Sequence, residues 1–214
     1  MKLTRAEFER RYATGALHIA LVGMSNIGKS YTGMRLATAF DFDLIEVDKI
    51  IWENLGHDSM DDFAAWQGQP YSDGYAEREA HSISLENQAT AQAVKYEGQN
   101  AILDTTGSVI YTTNEVLETL ANHWYVIHIA ASDKAVERLK VQYFKQPKPL
   151  IWHGHYHCRD GQDKTEAILE SYPNLLTARA KAYDALADAT ISSDVILDHT
   201  LSIEEIFQRL KPAI

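Results

Sequence analysis

The chain has 214 residues, 45% of them apolar, with 20 basic and 30 acidic side chains and a formal net charge of −10. That length suffices for one α/β domain with a full core, and eleven glycines and five prolines are too few for a fibrous or disordered chain. The acidic balance argues against nucleic acid and anionic membrane as partners, no apolar run reaches the ~18 residues of a membrane span, and a lone cysteine, Cys158, excludes an internal disulfide.

The first residues are charged throughout and lack the apolar core of a signal peptide, which predicts a cytoplasmic protein. In chain order, Leu3–Tyr12 reads as a short amphipathic helix and His18–Val22 as an apolar strand. A helix beginning in Asn26-Ile-Gly-Lys runs to about Phe40, and a second strand covers Leu44–Val47. Asp48–His57 and Met60–Trp66 have helical patterns, and Gly68–Gly74 is polar and turn-rich. Tyr75–Val94 is a long helix with Ala76, Ala80, Ile83, Ala91 and Val94 near one face. Ala101–Leu103 is a third strand, Asn114–Ala121 a helix and Trp124–Ile129 a fourth strand. Ser132 is placed to cap a helix that runs to about Phe144 and is broken by Gln146-Pro-Lys-Pro. Pro147–Gly161 is aromatic, His-rich and without period, a pattern typical of functional or mobile segments. Thr165–Ala187 is helical with an interruption near Pro173, Val195–Leu197 is a last short strand, and Ile203–Leu210 closes the chain as a helix. The alternation of strand and helix predicts a parallel sheet covered on both faces, in a single domain over residues 1–214.

Gly23-Met-Ser-Asn-Ile-Gly28-Lys29-Ser30 matches G-x-x-x-x-G-K-[ST], and it stands between the apolar strand Ile19-Ala-Leu-Val and a helix. Each residue type has a task. The glycines let the backbone of Gly23, Met24, Ser25, Asn26, Ile27 and Gly28 curl so that its N–H groups converge on phosphate oxygens. The following helix, opening with Lys29, Ser30 and Tyr31, adds the positive end of its dipole. Lys29 neutralises the β- and γ-phosphates and the Ser30 hydroxyl ligates Mg²⁺. ATP and Mg²⁺ are the expected cofactors.

Two acidic positions extend this reading. Ala101-Ile-Leu-Asp104 is an apolar strand ending in a carboxylate, which holds the magnesium or its water, or else starts the turn at Thr105-Thr-Gly107. Glu46 and Asp48 are two apart and share one face of an extended strand, where they serve metal and substrate; alternatively Asp48 caps the next helix.

In their order along the chain these residues resemble the shikimate kinase family, a branch of the nucleoside monophosphate kinase-like P-loop fold. The resemblance runs from about Leu17 to Ile191: the phosphate loop, Glu46-Val-Asp48, Gly74-Tyr75…Glu79, the Asp104–Ser108 loop, Lys148-Pro-Leu and Arg179…Tyr183…Ala187-Asp188. It implies a three-layer fold with a five-stranded parallel sheet in the order 2-3-1-4-5, an acceptor-binding insert at about 48–94 and a lid at about 146–162. It further implies that Asp48 orients the attacking hydroxyl, that Arg179 and Gly107 contact the acceptor, that Glu46 sits near the metal, and that Lys148 reaches the phosphates.

The chain also departs from the family pattern. The helix-start Arg of the family is Ala76, and Arg78 lies about 200° away around the helix. The family's triple glycine reads Thr106-Gly107-Ser108, and the lid Arg is Lys148, which lacks the planar bidentate fork. The expectation is therefore a small-molecule kinase whose acceptor is a hydroxylated metabolite other than shikimate, with or without a carboxylate. Shikimate itself, a nucleotide acceptor, and a regulatory nucleotide-binding module without turnover stand as alternatives. His153, His155, His157 and Cys158 read as a lid tip rather than a metal set, and Trp52, Phe63 and Trp66 as the core of the insert rather than the acceptor wall.

Overall fold

The computed structural model describes residues 2–54, 60–145 and 150–213. Five parallel strands form one sheet: β1 (His18–Val22), β2 (Asp43–Glu46), β3 (Ala101–Asp104), β4 (Tyr125–Ala130) and β5 (Ala189–Ser192), in the order β2-β3-β1-β4-β5. β3 is buried along its whole length, and only the first residue of β1 and the last of β4 are partly exposed. Such continuous burial is what a parallel sheet covered on both faces requires, and it explains why these strands are apolar runs rather than alternating ones. β1 lies between β3 and β4, so the chain leaving it enters the crevice where open α/β sheets bind ligands.

The helices are α1 (Arg5–Ala13), α2 (Lys29–Phe40), α3 (Val47–Asn54), α4 (Met60–Gln67), α5 (Tyr75–Ala93), α6 (Asn114–His123), α7 (Asp133–Lys145), α8 (Lys164–Leu186), α9 (Ser193–Ile196) and α10 (Ile203–Leu210). Among the described residues no helix is long and apolar enough to cross a membrane. α1 packs Phe8 edge-on against Tyr125 of β4 at 5.4 Å and against Phe207 of α10 at 5.8 Å. Ser132 caps α7 as expected, accepting from Ala135 N at 3.1 Å.

Four local expectations are corrected. The last strand is Ala189–Ser192, and Val195–Leu197 instead lies in and just after α9. The Ser192 side chain accepts from Asp194 N, which caps that turn as helix, while the register Ile127↔Ala189 to Ala130↔Ser192 uses up the free edge of β4. α8 runs unbroken through Pro173: Tyr172, Leu175 and Leu176 are buried around the proline, and that packing offsets the missing hydrogen bond. α5 is rotated from the expected face: Val94 is buried as expected and Ile83 and Ala91 are half-buried, but the buried side is shifted about 100° round the helix. Ala76 and Ala80 are exposed, whereas Ser82, Glu86, Ala89, Thr90 and Ala93 are buried. That face covers a polar cavity, described below, so its burial does not follow apolar periodicity. Finally, β2 ends at Glu46 and α3 starts at Val47, so Glu46 and Asp48 do not share a strand face; Asp48 belongs to the first turn of a helix. Positions 55–59 of the expected Asp48–His57 helix lie outside the described residues.

Candidate functional site

Past Val22 the backbone turns through left-handed conformations at Gly23 (φ 146°), Asn26 (φ 63°) and Gly28 (φ 115°). Gly23 admits no side chain, because a Cβ there would stand 2.7 Å from the Ile129 carbonyl oxygen. Such a curl makes a concave row of N–H groups suited to an anion. α2 then opens with Gly28 as its N-cap and no side-chain cap, which leaves its first N–H groups and its dipole directed at whatever binds there. Lys29 is buried, and its Nζ donates to the carbonyls of Gly23 at 3.0 Å and Met24 at 3.1 Å. Ser25, Asn26, Gly28, Lys29, Ser30 and Tyr31 line a cleft over the loop. Met24 and Ile27 are packed in the core instead. One cation that sequence reasoning missed stands beside the loop: Arg138 of α7 places Nη2 3.5 Å from the Asn26 oxygen. In sequence it is one of several charges on an amphipathic helix.

A second, polar cavity adjoins the cleft, walled by α3, α4, α5 and α8 and by the loop after β3. Ser25 and Asp48 line both spaces, so the two meet at these side chains. Phe63 is at once buried and part of the cavity wall, which merges the two roles considered for it. Arg179, expected to contact the acceptor, lines this cavity and is fully buried. Its Nη1 donates to the Gly107 carbonyl at 2.7 Å and its Nη2 to the Ile151 carbonyl at 2.5 Å, and its carbon head lies 5.2 Å from the centre of the Tyr111 ring. Burial works against its charge, but Tyr183, Tyr111 and Glu86 hold its pKa above the ordinary value.

The Gly107 carbonyl also accepts from the Tyr183 hydroxyl, which lies 3.6 Å from the Met24 sulfur. A Cβ at Gly107 would stand 2.6 Å from Ser25 Oγ and 3.0 Å from Ser25 N. Gly107→Ala should therefore cost about 1–3 kcal/mol of stability through overpacking, read in a denaturant melt. A variant as stable as the wild type would show that the loops can part freely.

Glu86 is the main member of the cavity that sequence reasoning did not find. Its carboxylate accepts from Thr106 Oγ1 at one oxygen and from Ser108 Oγ at the other, the latter at 2.6 Å. Burial pushes its pKa up to about 7; the two hydroxyls pull it down, Asp48 pushes it further up and Arg179 pulls it down. Thr106 and Ser108, the positions where the family has glycine, are thus the partners of this carboxylate. Only their joint presence with an acidic residue about three turns into α5 carried any signal.

Arg78 does not replace the missing arginine at Ala76. Its Nε donates to the Gln67 carbonyl at 3.0 Å and its Nη1 to the Asp73 carbonyl at 2.9 Å, so it braces the turn before α5. Asp104 is buried at the end of β3, in register with Leu21 of the phosphate-loop strand on one side and Glu46 on the other. Asp104 is thus one strand from the loop and Glu46 two. Lys148 lies outside the described residues. The segment that follows touches the cavity wall: Trp152 N and His153 N donate to Glu79 Oε1 at 2.6 and 3.0 Å, and the His153 ring stacks on Tyr111 at 4.2 Å.

The site thus joins a phosphate-binding loop to a polar cavity at a carboxylate, an arrangement suited to moving a phosphoryl group onto a hydroxyl. Three solved shikimate kinases share the fold. The enzyme from Bacteroides thetaiotaomicron superposes with a TM-score of 0.62 at 17% identity, over 91% of this chain and 96% of that one. The enzyme from Acinetobacter baumannii, solved with shikimate, gives 0.61 at 18% identity over 92% of each chain. The enzyme from Aquifex aeolicus gives 0.57 at 17% identity over 91% of this chain and 93% of that one. A search of curated proteins gives no significant match. The description of the shikimate kinase family matches residues 25–211, nearly the whole chain. The chain therefore belongs to the shikimate kinase family and is a small-molecule kinase acting on a hydroxyl acceptor.

Proposed function

We propose that this kinase transfers the γ-phosphoryl group of ATP to a hydroxyl of a small metabolite that carries no carboxylate, and so is not shikimate. The observation that carries the reading is the position of Asp48, which lines both the phosphate-loop cleft and the adjoining cavity. A carboxylate at that junction accepts the hydrogen bond of the attacking hydroxyl and fixes one of its lone pairs toward phosphorus. Ser25 to Tyr31 and Lys29 hold the phosphates; Gly107 and Arg179 shape the acceptor side. Against a carboxylate in the acceptor stands one fact: Asp48 and Glu86 face the same cavity. Like charges in a desolvated space repel strongly. We place the reaction in the cytoplasm and assign residues 1–214 to one domain.

Mg²⁺ fits the donors present. Ser30 and Asp104 are hard oxygen ligands at the ends of adjacent elements, and among the described residues no three His, Cys or acidic groups form a metal cage. The ion would accordingly share its shell with phosphate oxygens and water, and would supply charge neutralisation at the transferred group. Asp104 is favoured over Glu46 because it is one strand nearer the loop. Asp104→Asn should raise the magnesium concentration giving half-maximal activity several-fold, since a charged ligand or water-orienting group is lost. A titration that superposes on the wild type would leave Asp104 as a turn residue.

The function itself is tested by ADP release across neutral polyols and sugars, sugar acids and cyclic hydroxy acids. Neutral hydroxylated compounds should stimulate release and shikimate should not. Preferred turnover of shikimate would overturn the altered acceptor and leave a kinase.

A further inference from the structure

The geometry points to Glu86 as the residue that selects the acceptor: its carboxylate accepts a hydrogen bond from a hydroxyl other than the one phosphorylated, so the substrate is an uncharged compound with at least two hydroxyls. This rests on the kinase reading above and adds to it a specificity residue and a substrate class. Glu86 is buried on α5, with 4% of its surface exposed, and it lines the acceptor cavity. Thr106 and Ser108 donate one hydrogen bond to each of its oxygens. A carboxylate oxygen accepts two, so each keeps an unused lone pair. Among the described residues Glu86 has no ion-pair partner, because the terminal nitrogens of Arg179 point to the Gly107 and Ile151 carbonyls.

The fold does not need a carboxylate there. The same helix face carries Ala89 and Ala93 in the core, and an apolar residue at 86 would avoid the desolvation cost of a buried acid. Among the described residues lining the cavity, the buried side-chain atom without a partner is Arg179 Nε, which is a donor, and Gln67 and Ser82 are hydrogen-bonded to each other. Gln67 Nε2 donates to the Leu150 carbonyl at 2.8 Å, and Gln67 Oε1 accepts from Ser82 Oγ at 2.8 Å. Spare acceptor capacity on the α5 wall of the cavity is therefore concentrated on Glu86. With Asp48 fixing the attacking hydroxyl, Glu86 can fix a second one, which sets the orientation of the acceptor as well as its identity.

The charged groups facing Glu86 are Asp48 from α3 and Arg179 from α8, and with burial the first cause, its pKa stands near 7. The ionised form is the better hydrogen-bond acceptor. Acceptor KM should thus fall as pH rises from 6 to 8.

The test uses the full-length chain and its Glu86→Gln variant, with neutral polyols and the deoxy analogue of the best one lacking a non-phosphorylated hydroxyl. Acceptor KM is expected to rise about ten-fold or more in Glu86→Gln, with kcat changed little and Mg·ATP affinity by calorimetry unchanged. The pH dependence of KM should vanish in the variant. One deoxy analogue should lose about ten-fold in kcat/KM with the wild type and much less with the variant, because the two deletions remove the same bond. Folding is checked by melting. The raised pKa means the folded state is unpenalised below the unfolded value of 4.5 and loses stability as pH rises through about 7. Glu86→Gln should therefore melt above the wild type at pH 8, and the gap should close by pH 4. Wild-type turnover of a polyol with KM and its pH profile unmoved in the variant overturns the inference alone. The wild-type deoxy series supplies an independent reading if the variant does not fold, and equal kcat/KM across that series also overturns it. ADP release that no panel member stimulates removes the kinase reading, and the inference with it.

Discussion

Asp48→Asn is expected to lower kcat by about 10²-fold or more while Mg·ATP affinity stays at the wild-type value. The substitution keeps the shape of a half-buried side chain in the first turn of α3 and removes only its charge. Phosphoryl transfer asks little covalent chemistry of the protein; most of the rate comes from holding the attacking oxygen in line with phosphorus and stabilising the charge around it. An amide can still accept one hydrogen bond, but it can also present N–H to the hydroxyl and turn the lone pair away. The loss should therefore appear in kcat more than in acceptor KM. Single-turnover kinetics with saturating acceptor separate this from slower product release. A normal kcat on the best acceptor would move the orienting role to Glu86 or Asp104.

Lys29→Met should have an effect of similar size on both substrate binding and turnover. Methionine fills the apolar path of the buried lysine stem, so the change isolates the ammonium group. That group is presently held by the Gly23 and Met24 carbonyls, two residues of the loop itself, and is thus kept at the mouth of the anion site rather than in solvent. The net charge of −10 makes this local cation matter more, since the field of the whole chain opposes an anionic nucleotide. Removing an ammonium–phosphate hydrogen bond should weaken Mg·ATP binding at least about ten-fold, and removing the same donor from the transition state should lower kcat by about 10²–10³-fold. Calorimetry on the variant decides the first and initial rates the second; unchanged Mg·ATP affinity would remove the phosphate-loop assignment.

The nucleotide side of the site was legible in the sequence because it is local. Eight consecutive positions encode the turn, the cation and the hydroxyl, and the flanking apolar strand and helix agree with that setting. Asp48 and Arg179 were reached through family resemblance, and the structure puts both on one cavity. Glu86 escaped because a helix position reveals burial only through apolar neighbours at helical spacing, and here the buried face is partly polar. Its partners Thr106 and Ser108 lie some twenty positions away, so their meaning depends on how α5 docks over the loop after β3. The last strand was misplaced for a related reason. Ala-Thr-Ile-Ser has one strongly apolar residue and becomes a strand by pairing with β4, whereas Val-Ile-Leu looks more strand-like and is capped into a helical turn by Ser192.

The Gly107 carbonyl takes hydrogen bonds from Arg179 and Tyr183, one turn apart on α8, and the second of these donors touches the Met24 sulfur, whose backbone is part of the phosphate loop. Both lone pairs of one peptide oxygen are therefore committed to a single helix. A shift of that peptide on filling the cavity would disturb the arginine, the tyrosine and the floor of the nucleotide cleft together. The two substrates are then thermodynamically linked: whatever factor Mg·ATP imposes on acceptor affinity, the acceptor imposes on Mg·ATP. Tyr183→Phe removes one strand of that link without emptying the core, and the ratio of acceptor Kd without and with Mg·ATP, compared between wild type and variant, measures how much of the coupling passed through it.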